Sequence, residues 1–246
     1  MGFKFKTIKK NTTAQVTEKK SKFIANLFYI ETIEEADRII KETKKKYHDA
    51  RHNCFAYILE TGEYEGLLVK YNDDGEPSGT AGAPMLSILA NEGLSNVLVI
   101  VTRYFGGVLL GTGGLVRAYS EAVKEALKLT EYVQKTKGYL AKLEIEYNDI
   151  DKIKYYLKQN NINIVGSQYA ENVELTIEVT DVNTEKFTNN VKNRNINIIK
   201  YDIIEEKNIE IQTKNTKNRK NFQKTIAMLL KLYYNSNCKI FTKITH

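Results

Sequence analysis

The sequence predicts a two-domain α+β protein, and three observations carry that prediction. Residues 96–102, NVLVIVT, contain a continuous β-branched and aliphatic run of the kind buried on both faces of a sheet. Glycine-rich segments flank that run, and each leads into a stretch with apolar residues at helical spacing. Beyond a boundary at 131–137 the pattern becomes strand, helix, strand, strand, helix, strand, the βαββαβ order of a ferredoxin-like arrangement. A chain of 246 residues is long enough for one large domain or two small ones, each able to bury a core.

Taken in order, residues 13–30 read as two strands around the charged turn EKKSK, with Phe23, Ala25 and Leu27 alternating onto one face. A helix follows. Thr32 can cap it, Glu34 and Glu35 stand in its first turn, and Lys44, Lys45 and Lys46 sit near its end, all in the sense the helix dipole favours. Its apolar stripe of Ala36, Ile39, Ile40 and Thr43 makes the lysine run a solvated helix end. His48, Arg51, His52 and Cys54 then cluster before a strand over 53–59. His52 and Cys54, two apart and on one strand face, are a candidate reactive pair; a cysteine beside Phe55 and Ala56 also reads as a small buried hydrophobe. Without a second CxxC or HxxxH the cluster does not describe a zinc site, and no metal is assigned. A hairpin at 61–66 and the strand LLVKY lead onward.

The stretch 73–119 holds nine of the fourteen glycines and both prolines, so two shaped loops are expected to face each other across the buried strand. The first, 73–84, offers Asp73, Asp74, Glu76, Ser78 and Thr80 and leads into a helix through Met85, Leu86, Ile88 and Leu89. Asp73 and Asp74 suit a magnesium ion, and Asp and Gly are equally turn chemistry. The second, 106–114, carries Gly106, Gly107, Gly111, Thr112, Gly113 and Gly114 and is expected to open a helix from Leu115. Backbone N–H groups at such a helix start point at one place and suit an anion. Neither GxGxxG after a first strand nor GxxxxGK[ST] is present, so no nucleotide fingerprint applies. Arg103, at the strand exit, and Arg117, one turn inside the helix, either converge on an anion or form internal salt bridges to Asp73, Asp74 or Glu76. Tyr104, Phe105 and Tyr119 add aromatic faces for stacking or for the core.

In the second half, strands are expected over 139–147, 163–169, 172–180 and 196–203 and helices over 150–159 and 184–194, with Asp149 and Asn183 as N-caps. A four-stranded sheet of this topology can bind RNA through exposed aromatics, but the RNP1 pattern is absent, and contact with a protein or the ribosome is an equal expectation. The net charge of +7 belongs to the end of the chain: residues 207–246 hold nine Lys or Arg and one acid, and the rest carries a net of −1. That segment reads as a basic linker and an amphipathic helix with Phe222, Ile226, Leu229, Leu230 and Tyr233 on one stripe. It suits docking on the second domain, a partner- or RNA-binding arm, or a membrane-surface helix. No apolar run is long enough to span a membrane and no signal peptide is expected. Cys54 and Cys238 stand far apart and form no disulfide framework, so the cytoplasm is the expected compartment.

The blocks HNCFAY at 52–57, DDGEPSGTAGAP at 73–84, VTRYFGG at 101–107 and LGTGGLVRAY at 110–119 closely resemble the IMPACT family and its bacterial YigZ-type members, with SKFIA at 21–25 also similar. The resemblance covers roughly residues 1–206. It implies an N-terminal domain over 1–131 like the second domain of ribosomal protein S5, and a ferredoxin-like domain over 136–206 similar to one of the elongation factors. It implies regulation of translation by binding RNA, the ribosome or a protein partner. The sequence alone also admits an enzyme acting on a small phosphorylated substrate between the glycine loops. No residue is assigned a catalytic role, and no oligomeric state follows.

Overall fold

The computed structural model describes residues 4–60, 66–193 and 196–211. They fall into two compact units, one over 5–133 and one over 134–211 together with Lys4. The hairpin expected at 61–66 and the helix expected near the C-terminus fall outside, or largely outside, the described residues.

The first unit contains β1 (Lys4–Ile8), β2 (Thr12–Glu18), β3 (Ser21–Tyr29), α1 (Ile33–Lys46), β4 (His52–Glu60), β5 (Leu67–Asn72), α2 (Gly82–Asn91), β6 (Val97–Tyr104) and α3 (Gly111–Lys128). Its sheet runs β2-β3-β6-β4-β5, antiparallel throughout. The two-residue period of a strand sorts the side chains. Phe23, Ala25, Leu27, Cys54, Ala56, Val99 and Val101 pack with Leu89 of α2 and with Leu115, Tyr119 and Val123 of α3. Phe55, Tyr57, Leu98 and Ile100 pack with Ala36 and Ile39 of α1. Helices on both faces explain why β6 has no polar alternation, and each large side chain so buried contributes about 1.5–3 kcal/mol. Helix α1 starts as its residues dictate. The Thr32 hydroxyl accepts from the Glu35 N–H at 3.1 Å, and the Glu35 carboxylate accepts from the Glu31 N–H at 2.9 Å.

Two expectations change here. Arg103 does not leave β6 but lies within it, opposite Phe23 of β3 and His52 of β4. Helix α3 begins at Gly111, four residues earlier than expected, because Gly111, at φ +69°, turns the chain and Thr112, Gly113 and Gly114 form the first turn.

The second unit contains β7 (Tyr132–Ile145), a 3₁₀ turn at Tyr147–Asp149, α4 (Ile150–Gln159), β8 (Asn163–Tyr169), β9 (Val173–Thr180), α5 (Asp181–Lys192) and β10 (Lys200–Ile211). These strands run β10-β7-β9-β8, all antiparallel, the order of a ferredoxin-like sheet. Ala141, Leu143, Ile145, Val173, Leu175 and Ile177 meet Ile153 and Leu157 of α4 and Phe187 of α5. Strand β7 begins at Tyr132, inside the stretch expected to be a boundary, and β10 runs later and longer than 196–203, with Ile196 and Ile198 packing on the core ahead of it. Asp149 stands at the expected N-cap position of α4 but its side chain makes no capping hydrogen bond, and Asn183 is not the N-cap of α5, which is Thr180. Asn183 lies inside α5 and donates to the Asn160 carbonyl at 3.0 Å, while Asp149 accepts from Asn197 at 3.2 Å. No helix of the described residues is long and apolar enough to cross a membrane.

Candidate functional site

The loop between β5 and α2 is built around carboxylates that hold backbone N–H groups. Helix α2 starts after Ala81, which has no side chain to cap it. Asp73 does this from eight residues upstream: Oδ1 accepts from the Ala81 and Gly82 N–H groups at 3.0 and 2.8 Å, and Oδ2 accepts from the Gly79 N–H at 2.9 Å. Asp74, in the left-handed region at φ +44°, accepts from the Asn53 N–H at 2.7 Å and pairs with Lys44 at 2.6 Å. Each of the four carboxylate oxygens thus takes at least one hydrogen bond or ion pair from the protein. Thr80 is buried and its hydroxyl donates to the Pro77 carbonyl at 2.6 Å; Ser78 is exposed.

Below this loop lies a buried polar cluster. Arg103 is 5% exposed, and its Nη1 lies 2.6 Å from Oε1 of the buried Glu76. The Tyr119 hydroxyl donates to the same oxygen at 2.8 Å, and His52 Nε2 stands 3.9 Å from it. His52 Nδ1 meets the Asp74 carbonyl at 2.8 Å. The rings of Phe23 and Phe105 lie 5.4 and 5.6 Å from the guanidinium, and Nη2 donates weakly to the Ser21 hydroxyl at 3.5 Å. Of the two arrangements open for Arg103, the structure shows the internal salt bridge, to Glu76.

Cys54 joins the cluster as a structural group. Its thiol donates to the Asp73 carbonyl at 3.0 Å, and its sulfur lies 3.3 Å from the Tyr119 hydroxyl. Burial, aided by the nearby carboxylates, pushes the thiol far above its ordinary value, and burial does the same to Tyr119. A nucleophile needs access and a lowered pKa, so the His52–Cys54 pair has the opposite of both requirements at its sulfur. Sequence reasoning gave Tyr119 only an aromatic face. Its place one turn after Leu115 puts it on the buried stripe, where a phenol needs a partner, and that was the available signal.

The second loop has a different character. Gly106 is a packing residue: a Cβ there would sit 2.1–2.4 Å from the backbone of Lys20 and Ser21, and its N–H donates to the Ser21 hydroxyl at 3.2 Å. Gly107, at φ +83°, turns the chain outward and exposes Val108 and Leu109, the latter 84% exposed. Gly111, Thr112 and Gly113 are exposed in the first turn of α3, where backbone N–H groups lack helical acceptors. Arg117 is exposed one turn further on, near Gly113 as the helical spacing requires. Tyr104 donates to Asp49 at 2.9 Å beneath the Lys22 ammonium. The structure therefore separates the two arginines: Arg103 is committed inside, and Arg117 stands in solvent beside the loop.

In the second unit the register puts Lys142, Glu144, Glu174, Thr176, Glu178 and Asp202 on the sheet face away from α4 and α5. Lys142 pairs with Glu174 there at 2.7 Å. Tyr139, Tyr169 and Tyr201 fall in register with the core-facing residues, on the opposite side of the sheet.

Comparison with known proteins follows the same division. Residues 19–127 match the model of the Impact N-terminal domain, and residues 143–194 match a domain of unknown function, DUF1949. The chain is 37% identical to the IMPACT family member YvyE of Bacillus subtilis over 182 residues, 74% of this chain and 82% of that protein. It is 35% identical to the IMPACT family member YigZ of Escherichia coli over 170 residues, 69% of this chain and 83% of that protein. Among solved structures, it is similar to a hypothetical protein at TM-score 0.56 and 31% identity, covering 83% of this chain and 98% of that one.

Proposed function

This chain belongs to the IMPACT family, and from that premise we propose that it regulates translation by recognition, using the surface made by residues 105–110 and the first turn of α3. The observation that supports this reading is a contrast within one region. The thiol, the arginine of β6 and the carboxylates of the 73–81 loop are consumed by the fold, whereas Val108, Leu109, the first N–H groups of α3 and Arg117 face solvent. An apolar tip beside a cation and unpaired N–H groups suits a partner that carries phosphates next to an apolar or stacked surface, as RNA and the ribosome do.

Co-sedimentation with ribosomes and anisotropy of a labelled single-stranded RNA, each at several salt concentrations, test the proposal. Wild-type protein is expected to bind in at least one assay. Arg117→Ala is expected to lower the salt slope by about one, and Leu109→Asp to weaken binding roughly tenfold. Binding that both variants leave unchanged would refute this surface. Arg103→Ala is unsuitable as a probe, because it strands Glu76 and reports on folding. A response to small phosphorylated compounds in place of RNA and ribosomes would move the enzyme alternative ahead.

A further inference from the structure

A groove of about 350 Å³ opens on the α1 side of the first unit, between α1 and strand β3. It lies across the sheet from α2 and α3 and is independent of the surface proposed above. Asn26, Phe28, Ile39, Thr43, Lys46 and Tyr47 line it.

Asn26 is the informative residue. It is 6% exposed, its Oδ1 accepts from the Thr13 hydroxyl at 2.9 Å, and its Nδ2 has no hydrogen-bond partner. A buried amide N–H₂ without an acceptor is unfavourable, and proteins satisfy nearly all such groups. The acidic side chains of the groove are already engaged. Glu42 takes both its contacts from Arg38, at 3.1 and 3.3 Å, and Glu35 accepts the Glu31 N–H while lying 3.9 Å from Arg38. Lys46 is exposed and stands 5.0 Å over the Tyr47 ring. The Asn26 amide and the Lys46 ammonium thus add two hydrogen-bond donors to walls that are otherwise aromatic and aliphatic at Phe28, Ile39 and Tyr47.

We propose that this groove binds a small organic anion, with its apolar body against Phe28, Ile39 and Tyr47 and its acceptor oxygens meeting Asn26 Nδ2 and the Lys46 ammonium. The volume is at the low end for ligand sites, which suits a single-ring molecule and not a polymer. A carboxylate and a phosphate ester share the required chemistry.

Amide NMR of the full chain separates these sources, with phenylacetate and phenyl phosphate as the two probes and inorganic phosphate as the control. The Asn26 side-chain N–H₂ resonances are expected to shift saturably with at least one aromatic anion and not with inorganic phosphate. Lys46→Ala and Asn26→Asp are each expected to weaken that binding roughly tenfold. The proposal is overturned if neither aromatic probe shifts the Asn26 side chain, if inorganic phosphate alone reproduces the shift, or if binding is unchanged in Lys46→Ala. That last variant changes an exposed side chain, so the test stands even where Asn26→Asp does not fold.

Discussion

At the residue scale, the Arg103–Glu76 pair is the most exposed to mutation. Removing one member of a buried ion pair leaves the other uncompensated. Arg103→Met is therefore expected to cost about 3–5 kcal/mol by urea unfolding. The double change Arg103→Met with Glu76→Leu is expected to recover more than half of that loss, whereas additive losses would contradict the pairing. Cys54 supplies a pH dependence of known sign. Its ordinary value is 9.0, the fold raises it, and the folded state therefore holds the thiol proton more tightly. The stability so contributed is complete below pH 9 and is lost as pH rises beyond it. Tyr119, ordinarily at 10.0, acts in the same direction. Cys54→Ala is expected to delay the onset of alkaline unfolding, measured by circular dichroism against pH. An onset identical in the two proteins would show that the thiol does not report on folding. The sequence offered Arg103 three carboxylates as partners. It could not choose among them, because the choice depends on a turn through Asp74 and Gly75 that commits Asp73 to helix α2 and turns Glu76 inward.

At the scale of the element, glycines next to one another carry unlike loads. Gly106→Ala places a methyl against backbone that cannot move aside, so a loss of about 1–3 kcal/mol is expected in thermal or urea unfolding. Gly113→Ala meets only Arg117, at 4.0 Å, and should stabilise α3 by about 0.5–1 kcal/mol. Equal effects from the two would mean that the close approach at Lys20 is not maintained in solution. Asp73→Ala removes the acceptor for three N–H groups and is expected to cost about 2 kcal/mol, with α2 the first helix to lose amide protection. The strands and α1 were legible because period-two burial and the Thr32 cap are local signals. The start of α3 was not: GTGG looks like loop composition, and only the positive φ of Gly111 converts the three following residues into a helical turn. Strand β10 was misplaced for a related reason, since pairing with the long β7 extends it through Glu205 and Glu206, which no apolar alternation marks.

At the scale of the whole molecule, the two units differ in how their sheets are covered. The first buries both faces, under α1 on one side and α2 and α3 on the other, while the helices of the second lie on one face. Hydrogen exchange is expected to follow that difference, with amides of β6 and β4 outlasting those of β7 and β9. The reverse order would show that face coverage does not set local stability here. The α+β class and the βαββαβ order were readable from periodicity alone, whereas the buried cluster needed chain pairing over tens of residues to be seen.

The position of Phe105 has an optical consequence. The protein contains no tryptophan, and Phe105 lies half in solvent with its ring 5.6 Å from a guanidinium that is otherwise enclosed. Phe105→Trp would give the chain a single indole, at the edge of the surface proposed for partner recognition and against a fixed positive charge. Its emission would register a partner settling on that loop, and would do so without a label.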